Sequence, residues 1–419
     1  GKDEKTGAAK FFLGILTGIK NISGTYTRTE GTFLPGYLPK SNLFGQDLTY
    51  DAPGIGFLLG SQADIRQRAI ANGWITTDTL QNQLYVKSFN EDIRLRSIIE
   101  PVSDLRIELI AFKTQDKNYQ TNFKYLASTN SIENLSPVTT GTYSISFFSL
   151  GTAFAKSGGV TSRSPTYQKF LDNRTIVSQR LGLTNPNSGV AANGYADGYG
   201  PNAQNVLVPA FLAAYSGKDA SKSGTSQFPK MPIPNWQISY AGLGKMPFFA
   251  DLFDSFDLKH GYRSSYNVSS FTTLLQYQEA NGAVASRDFN NDFLPFYQFS
   301  QVAIFEQFVP LLGADVRFKN SMTANFEYRK TRSLNLSLLN SQLAQQDENI
   351  LVFGFGYRPK NFRMPWGLFG TGNKDNNDIN FKLDVAVRDN KTLIYRADIA
   401  AAEVSSGAKN ITMRPSIDY

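Results

Sequence analysis

The feature that most constrains the fold is an alternation of apolar and polar side chains in residues 377–389, NDINFKLDVAVRD. Odd and even positions differ in character: Phe381, Leu383 and Val385 against Lys382, Asp384 and Arg388. Because successive side chains of a β-strand point to opposite faces, the segment predicts a strand with an apolar face and a charged face. A sandwich strand continues for about 5–6 residues, whereas this one approaches the about 9–11 residues that cross a membrane obliquely.

The same alternation returns on the order of a dozen times along the chain when it is compared with strand templates. Residues 91–112 contain two alternating segments around the turn sequence PVSD, which predicts a β-hairpin. Residues 140–155 predict a third long strand. Residues 313–358 predict a meander in which residues 340–349 form a polar link. The predicted fold class is therefore all-β and antiparallel.

Sorting the strands by parity gives two sets of candidate residues. One set is predicted to face a water-filled lumen: Arg94, Arg96, Arg106, Glu108, Arg317, Glu327, Arg329, Lys382, Asp384 and Arg388. The other set is predicted to face lipid: Ile93, Leu95, Leu105, Ile107, Val316, Phe326, Phe381, Leu383 and Val385. Charges of both signs facing inward over many strands suit a wet interior, so the pattern favours a transmembrane β-barrel segment with lipid around it.

Composition narrows the function classes further. The chain has no cysteine and one histidine, so disulfides, thiolate chemistry and a histidine metal centre are not expected. The net charge is +7, but the basic residues are spread along strands and form no block of the kind that binds nucleic acid. The chain contains no run of 18 apolar residues, so the sequence predicts no helical membrane span. Without a nucleophile pattern or an acid–base pair in a pocket, we predict no enzyme activity and no cofactor.

Residues 157–232 break the alternation and predict a loop and helix insertion within a single domain of residues 1–419. The sequence SPTYQKFLDNRTIVSQRL predicts a short helix with Ser164 as N-cap and Pro165 at its first position. VLVPAFLAAY predicts one or two further helical turns. We expect this segment to lie outside the hydrocarbon layer, since irregular backbone is not tolerated against lipid. Its place in the lumen or over the outer mouth is left open.

Two other functions fit a chain with this alternation. A soluble, exported β-rich adhesin would pack its apolar faces against a second sheet instead of lipid. A smaller outer-membrane nutrient channel or transporter would use the same strands in a narrower barrel. Strand length and charge on the polar face favour a barrel in lipid over the soluble protein.

Several long segments resemble the SprA/Sov family, very large outer-membrane proteins of Bacteroidetes linked to gliding motility. The segments that carry the resemblance are YTRTEGTFLPGYLPK, APGIGFLLGSQADIRQRAIANGW, LSPVTTGTYSISFFSLGTAF, FPKMPIPNWQISYAGL, HGYRSSYNV, FEQFVPLLGADVRFKNSMTANFEYRKTRSLNLSLLNSQL and NFKLDVAVRDNKT. The similarity extends from about Phe11 to Tyr419 and corresponds to a late, C-terminal part of the much longer family members.

The resemblance implies a function that alternation alone does not. It implies a giant barrel in the outer membrane of a Gram-negative bacterium, closed only with strands outside this chain. Such a barrel would be the translocon of the type IX secretion system, a channel for folded cargo proteins with a C-terminal signal domain. The implied partners are a periplasmic plug protein and a smaller PorV-type barrel that receives cargo at a side opening. The family offers no catalytic motif.

Overall fold

The computed structural model describes residues 14, 17–78, 80–158, 162–190, 193–359, 379–399 and 401–418. Residues 377 and 378 of the opening alternation lie outside this described part. Strands make up 51% of the chain and helices 15%, so the protein is all-β with a helical insertion. Among the described residues, no helix is both long enough and apolar enough to span a membrane.

Sixteen strands are found in the described residues, and twelve of them form one large sheet. Their bounds are β1 (Ile19–Phe33), β2 (Tyr85–Val102), β3 (Leu105–Thr121), β4 (Phe123–Leu126), β5 (Ser131–Asn134), β6 (Val138–Ser146), β7 (Asn235–Tyr240), β8 (Phe253–Thr273), β9 (Glu279–Ala280), β10 (Ala283–Val284), β11 (Tyr297–Gln298), β12 (Gln301–Phe318), β13 (Met322–Ser337), β14 (Gln342–Tyr357), β15 (Asn380–Tyr395) and β16 (Glu403–Asp418). The pairs β4–β5 and β9–β10 stand apart as small hairpins.

The large sheet is an antiparallel meander in the order β1-β2-β3-β6-β8-β12-β13-β14-β15-β16. The short strand β7 also pairs with both β3 and β8, and β11 adds to β8. Most of the main strands have 15–21 residues, well beyond the usual about 5–6. The predicted hairpin in residues 91–112 is confirmed as β2–β3, with a two-residue turn at Ser103 and Asp104.

Three boundaries predicted from the sequence are wrong. Residues 342–349 belong to β14 and are not a polar link, because they pair with β13 on one side and β15 on the other. The strand predicted for residues 140–155 ends at Ser146, where the chain leaves the sheet. The meander begins at Gln301, not at residue 313. Two extra residues around Pro310 bulge out of β12 and interrupt its alternation, so the sequence pattern does not join the two halves of this strand.

In the part of the chain that the structure describes, five α-helices with defined bounds lie outside the sheet: α1 (Ile55–Leu58), α2 (Arg66–Ala71), α3 (Pro165–Thr184), α4 (Gln204–Tyr215) and α5 (Pro247–Ala250). α3 begins at the predicted Pro165, but with 20 residues it is not a short helix. α4 is buried from Val206 to Tyr215, as expected for a helix that is apolar on all sides. Together α3 and α4 form the main core of the protein against β6, β8 and β12–β15.

The insertion interrupts a single position of the sheet. β6 pairs with residues 113–120 of β3, and β7 pairs with residues 105–110 of the same strand. Both strands run antiparallel to β3, so together they fill one place between β3 and β8. The chain leaves this place after Ser146 and returns at Asn235. The insertion therefore covers residues 147–234, more than the 157–232 predicted, because no change of composition marks its first ten residues.

Candidate functional site

The register of the ladder divides the predicted candidate residues between two faces of one sheet. Residues directly opposite each other in an antiparallel pair point to the same face. One face, here called the apolar face, carries Ile93, Leu95, Leu105, Ile107, Val316, Phe326, Phe381, Leu383 and Val385. The other, the charged face, carries Arg94, Arg96, Arg106, Glu108, Arg317, Glu327, Arg329, Lys382, Asp384 and Arg388. Contact of these faces with lipid and with a lumen stays a prediction.

On the apolar face, one end of the long strands carries a continuous belt of apolar side chains that are half-buried or exposed. It is formed by rows such as Phe381, Leu383, Val385 and Val387 on β15, which extend about 20 Å at ~3.3 Å per residue. Leu383 is 43% exposed, Phe353 on β14 is 46% exposed and Met413 on β16 is 67% exposed. A belt of large apolar side chains on this scale is not typical of a free aqueous surface. We call it the apolar band.

The charged face is lined by ion pairs between neighbouring strands and along single strands. Arg96 Nε donates to Glu108 Oε1 at 2.7 Å, and Lys382 Nζ donates to Asp418 Oδ2 at 2.7 Å. The other pairs include Arg94 with Asp92, Arg329 with Glu327 and Arg388 with Glu348. Solvated pairs of this kind contribute only about 0–1 kcal/mol each. Their main effect is to present both signs of charge to water without a strong field of either sign.

Two glycines shape the charged face opposite the apolar band. Gly354 and Gly356 on β14 line a groove of about 350 Å³ with Asn325 and Asp384. A Cβ added to Gly354 would lie 1.7 Å from Asn325 Oδ1 and 2.7 Å from Asp384 Oδ1. The polar side chains of β13 and β15 therefore lean over β14, and the FGFGY motif serves this close packing.

Two polar side chains complete the ladder where the insertion breaks it. Ile145 opposes Lys113 and Asn235 opposes Ile110, so residues 111 and 112 of β3 face the break. The N–H of Phe112 donates to Ser146 Oγ at 3.1 Å. Across the break, Ser264 donates its N–H to Asn235 Oδ1 at 2.8 Å and accepts from Asn235 Nδ2 at 3.3 Å. Side chains thus replace the missing backbone partners, and the sheet stays hydrogen-bonded through the interruption.

The first twelve residues of the insertion, 147–158, run across the strands on the apolar face and are here called the strap. Its hydrogen bonds to the sheet pass from β8 to β15 in order. The N–H of Phe147 donates to Ser264 O, Ser149 Oγ donates to Glu306 Oε1, and Arg332 Nη1 donates to Thr152 O. Ser157 Oγ then donates to Asp347 Oδ2, and the N–H of Gly158 donates to Tyr395 Oη. These contacts follow the polar rows that separate the apolar band from the core under α3 and α4. The insertion therefore lies on the apolar face, beyond the band.

A buried ion pair fixes the strap to the sheet. Arg332 Nη2 lies 2.7 Å from Glu306 Oε2, and the side chains of both residues are 5% exposed or less. Glu306 Oε1 also accepts from Ser149 Oγ at 2.6 Å and from Tyr262 Oη at 2.9 Å. Arg332 donates to the carbonyl of Thr152 at 2.6 Å. Because both charges are hydrogen-bonded as well as paired, removing one partner leaves a costly buried charge.

Sequence reasoning missed this pair, although the signal was present. Glu306 and Arg332 lie on the parity that carries Ile304 and Leu334, the apolar side of their strands. Two charged residues of opposite sign on the apolar side of adjacent strands indicate that something other than lipid covers them. The sequence alone does not say that this cover begins at Ser149.

His260 lies on the apolar face, at the edge of the apolar band and beside the bulge of β12. Its Nδ1 is 2.7 Å from the carbonyl oxygen of Leu311, and its ring lies 6.5 Å from that of Trp236. The imidazole thus supports the bulge. Within the part of the chain that the structure describes, no cluster of three or more histidine or carboxylate side chains is arranged to hold a metal ion.

A second ion pair ties the loop between α3 and α4 to the loop between β10 and β11. Arg287 Nη2 donates to Asp197 Oδ2 at 2.7 Å, and the N–H of Gly189 donates to the same oxygen at 3.0 Å. These hydrogen bonds, with that of Arg287 as the largest cause, lower the pKa of Asp197 to about 2. The carboxylate is therefore a fixed anion that joins two loops.

The Asp197–Arg287 pair predicts a loss of stability in acid. The folded-state pKa of Asp197 is about 2, and its unfolded-state pKa is about 3.9. The contribution of the ion pair is therefore complete above about pH 4 and is lost as pH falls towards 2. We expect the Asp197→Asn variant to unfold with a weaker dependence on pH in this window, as measured by chemical denaturation. Equal pH dependence of the two proteins would contradict the prediction. Asp172→Asn is the control, because the side chain of Asp172 is exposed on the outer side of α3.

Comparison of the chain with models of known protein families and with curated proteins gave no match. The fold and the two faces define its class: an all-β protein built on a large antiparallel sheet, with one apolar face, one charged face and a helical insertion on the apolar face.

Proposed function

We propose that this chain forms part of the wall of a protein-conducting channel in the outer membrane of a Gram-negative bacterium. The observation that carries the proposal is the division of the sheet into an apolar band on one face and paired charges on the other. In a barrel wall, the band would contact the hydrocarbon layer, which for outer-membrane barrels is about 25 Å tall. The charged face would line a water-filled lumen.

The edges of the sheet support a barrel larger than this chain. Among the described residues, β1 and β16 stand at the two ends of the strand order, each paired on one side. An unpaired strand edge is not tolerated in hydrocarbon, so we propose that further strands outside this chain close the wall. Barrel diameter grows with strand number, and a wide lumen is what passage of folded protein requires.

The resemblance to the SprA/Sov family supplies the specific form of the proposal. In that form the channel exports folded cargo with a C-terminal signal domain in type IX secretion and gliding motility. Its partners would be a periplasmic plug protein and a PorV-type small barrel, with outer-membrane lipid around the wall and no nucleic acid. The mixed signs on the charged face fit transient passage, since neither acidic nor basic cargo would be held tightly.

One observation favours a different class of protein. The core between the insertion and the sheet contains buried residues from both helices and six strands, like the core of a soluble domain. An exported soluble adhesin would have such a core, and would need a partner over the apolar band as well. Detergent dependence separates the classes, because the channel should aggregate without detergent and the adhesin should remain dispersed.

We expect the purified full-length protein to conduct small ions in a planar bilayer once copurifying partners are removed. A lumen wide enough for folded cargo leaks small solutes unless a plug or an inserted segment fills it. Adding the partners back should close the channel. A stripped protein that stays closed, with no segment of its own in the lumen, would argue against a wide plugged pore. A conductance of ordinary porin size from the intact gene product would favour the smaller nutrient channel.

A further inference from the structure

The strap is continuous with the apolar band and presents its own apolar side chains beside it. Phe154 is 57% exposed, and its ring lies 5.3 Å from that of Phe308, in the first row beyond the band. Lys330 Nζ lies 4.6 Å from the centre of the Phe154 ring. At the β7 side, Phe148 packs 6.4 Å from Trp236. The strap therefore adds an aromatic row, with lysine beside it, along one edge of the band.

This composition is typical of one physical environment. Aromatic rings and lysine side chains are enriched where a membrane meets water. The rings enter the headgroup layer, and the lysine ammonium groups reach lipid phosphates. The polar belt under the strap, with Glu306 and Arg332 buried in it, could not be placed in hydrocarbon without such cover. The position and the chemistry of the strap thus agree.

We infer that the strap, residues 147–158, rests in the headgroup layer of the membrane and marks the edge of the hydrocarbon on the outside of the wall. Phe154 enters the layer, and exposed Lys156 contacts lipid phosphate. The inference rests on the proposed membrane function, and it assigns to the insertion a task that the strands alone do not perform. The helices α3 and α4 then stand beyond the membrane, held against the outside of the wall and out of the lumen.

Single cysteines can test this inference, since the chain has none of its own. Ala155→Cys places an environment-sensitive fluorophore in the strap while keeping Phe154 and Lys156. Leu383→Cys places the same label in the apolar band. Leu183→Cys is the matched control, because Leu183 is 89% exposed at the end of α3, away from the strap. Each label is placed in the full-length protein, which includes the strands that close the wall, and the protein is reconstituted in phosphatidylcholine vesicles that carry a spin label on the headgroup or deep in the acyl chain.

We expect the label at Ala155 to lose most of its fluorescence to the headgroup spin label and little to the acyl-chain label. The label at Leu383 should show the reverse, and the label at Leu183 should be quenched by neither. Adding Phe154→Ser to Ala155→Cys should reduce the quenching. If Leu383 is quenched and Ala155 is not, the strap does not touch the membrane, although the band does. If neither is quenched, the membrane function and the strap inference both fail.

Discussion

Replacing Leu383 with arginine is expected to lower the free energy of unfolding by about 2–4 kcal/mol in a lipid bilayer, the cost of a guanidinium near mid-membrane. Leu383 lies inside the apolar band, between Phe355 of β14 and Pro415 of β16. Leu383 is 43% exposed, so an arginine side chain would meet no steric barrier within the sheet. The loss would therefore report on the medium that contacts the apolar band. Reversible urea unfolding from vesicles measures it.

Two variants on the other face are the controls. Asp384→Asn removes a charge from the charged face one residue away, and Ala386→Arg introduces the same guanidinium on that face of the same strand. Both should change the free energy of unfolding little, because water solvates that face if it lines a lumen. Leu383→Arg with as small an effect as Ala386→Arg would mean that the apolar band does not meet lipid. A soluble adhesin would give a similar small effect in buffer.

The large sheet could be predicted from the sequence because its signal is local. Alternation with a period of two is fixed by the pleat of each strand, and parity alone groups Leu383 with Val385 and Asp384 with Arg388. The ladder then joins these groups across strands without a slip in β13, β14 and β15. The start of α3 was predictable for the same reason, since Pro165 marks it from its own properties, whereas the short helices α1, α2 and α5 were not predicted.

What escaped prediction depends on contacts distant in sequence. Residues 342–349 look like a link because Gln345 and Asp347 are polar, yet Gln345 is buried and donates to Ser157 of the strap. The sequence likewise does not mark the end of β6 at Ser146. Phe147 continues the apolar pattern of the strand, although its ring packs under the helices. In both places tertiary partners decide the structure, and the local pattern carries no trace of them.

Removing the buried guanidinium of Arg332 on β13 is expected to have the largest effect on the stability of the insertion. Arg332→Met keeps most of the side-chain volume but leaves the Glu306 carboxylate buried with only Ser149 and Tyr262 as partners. Breaking a buried ion pair from one side costs about 3–5 kcal/mol. We expect a loss of that size in the free energy of unfolding, and faster protease cleavage in the loops around α3, because the strap loses its bond from Arg332 to Thr152.

Arg329→Met is the matched control, since it makes the same change three residues earlier on β13, in the solvated pair with Glu327 on the charged face. That variant should lose no more than about 1 kcal/mol. The double variant Glu306→Gln with Arg332→Met should recover part of the loss, because a neutral amide can keep its hydrogen bonds with Ser149 and Tyr262 without an unpaired charge. If Arg332→Met and Arg329→Met cost the same, the strap is not fixed by this pair, and the insertion must be held against the sheet by the apolar core of α3 and α4 alone.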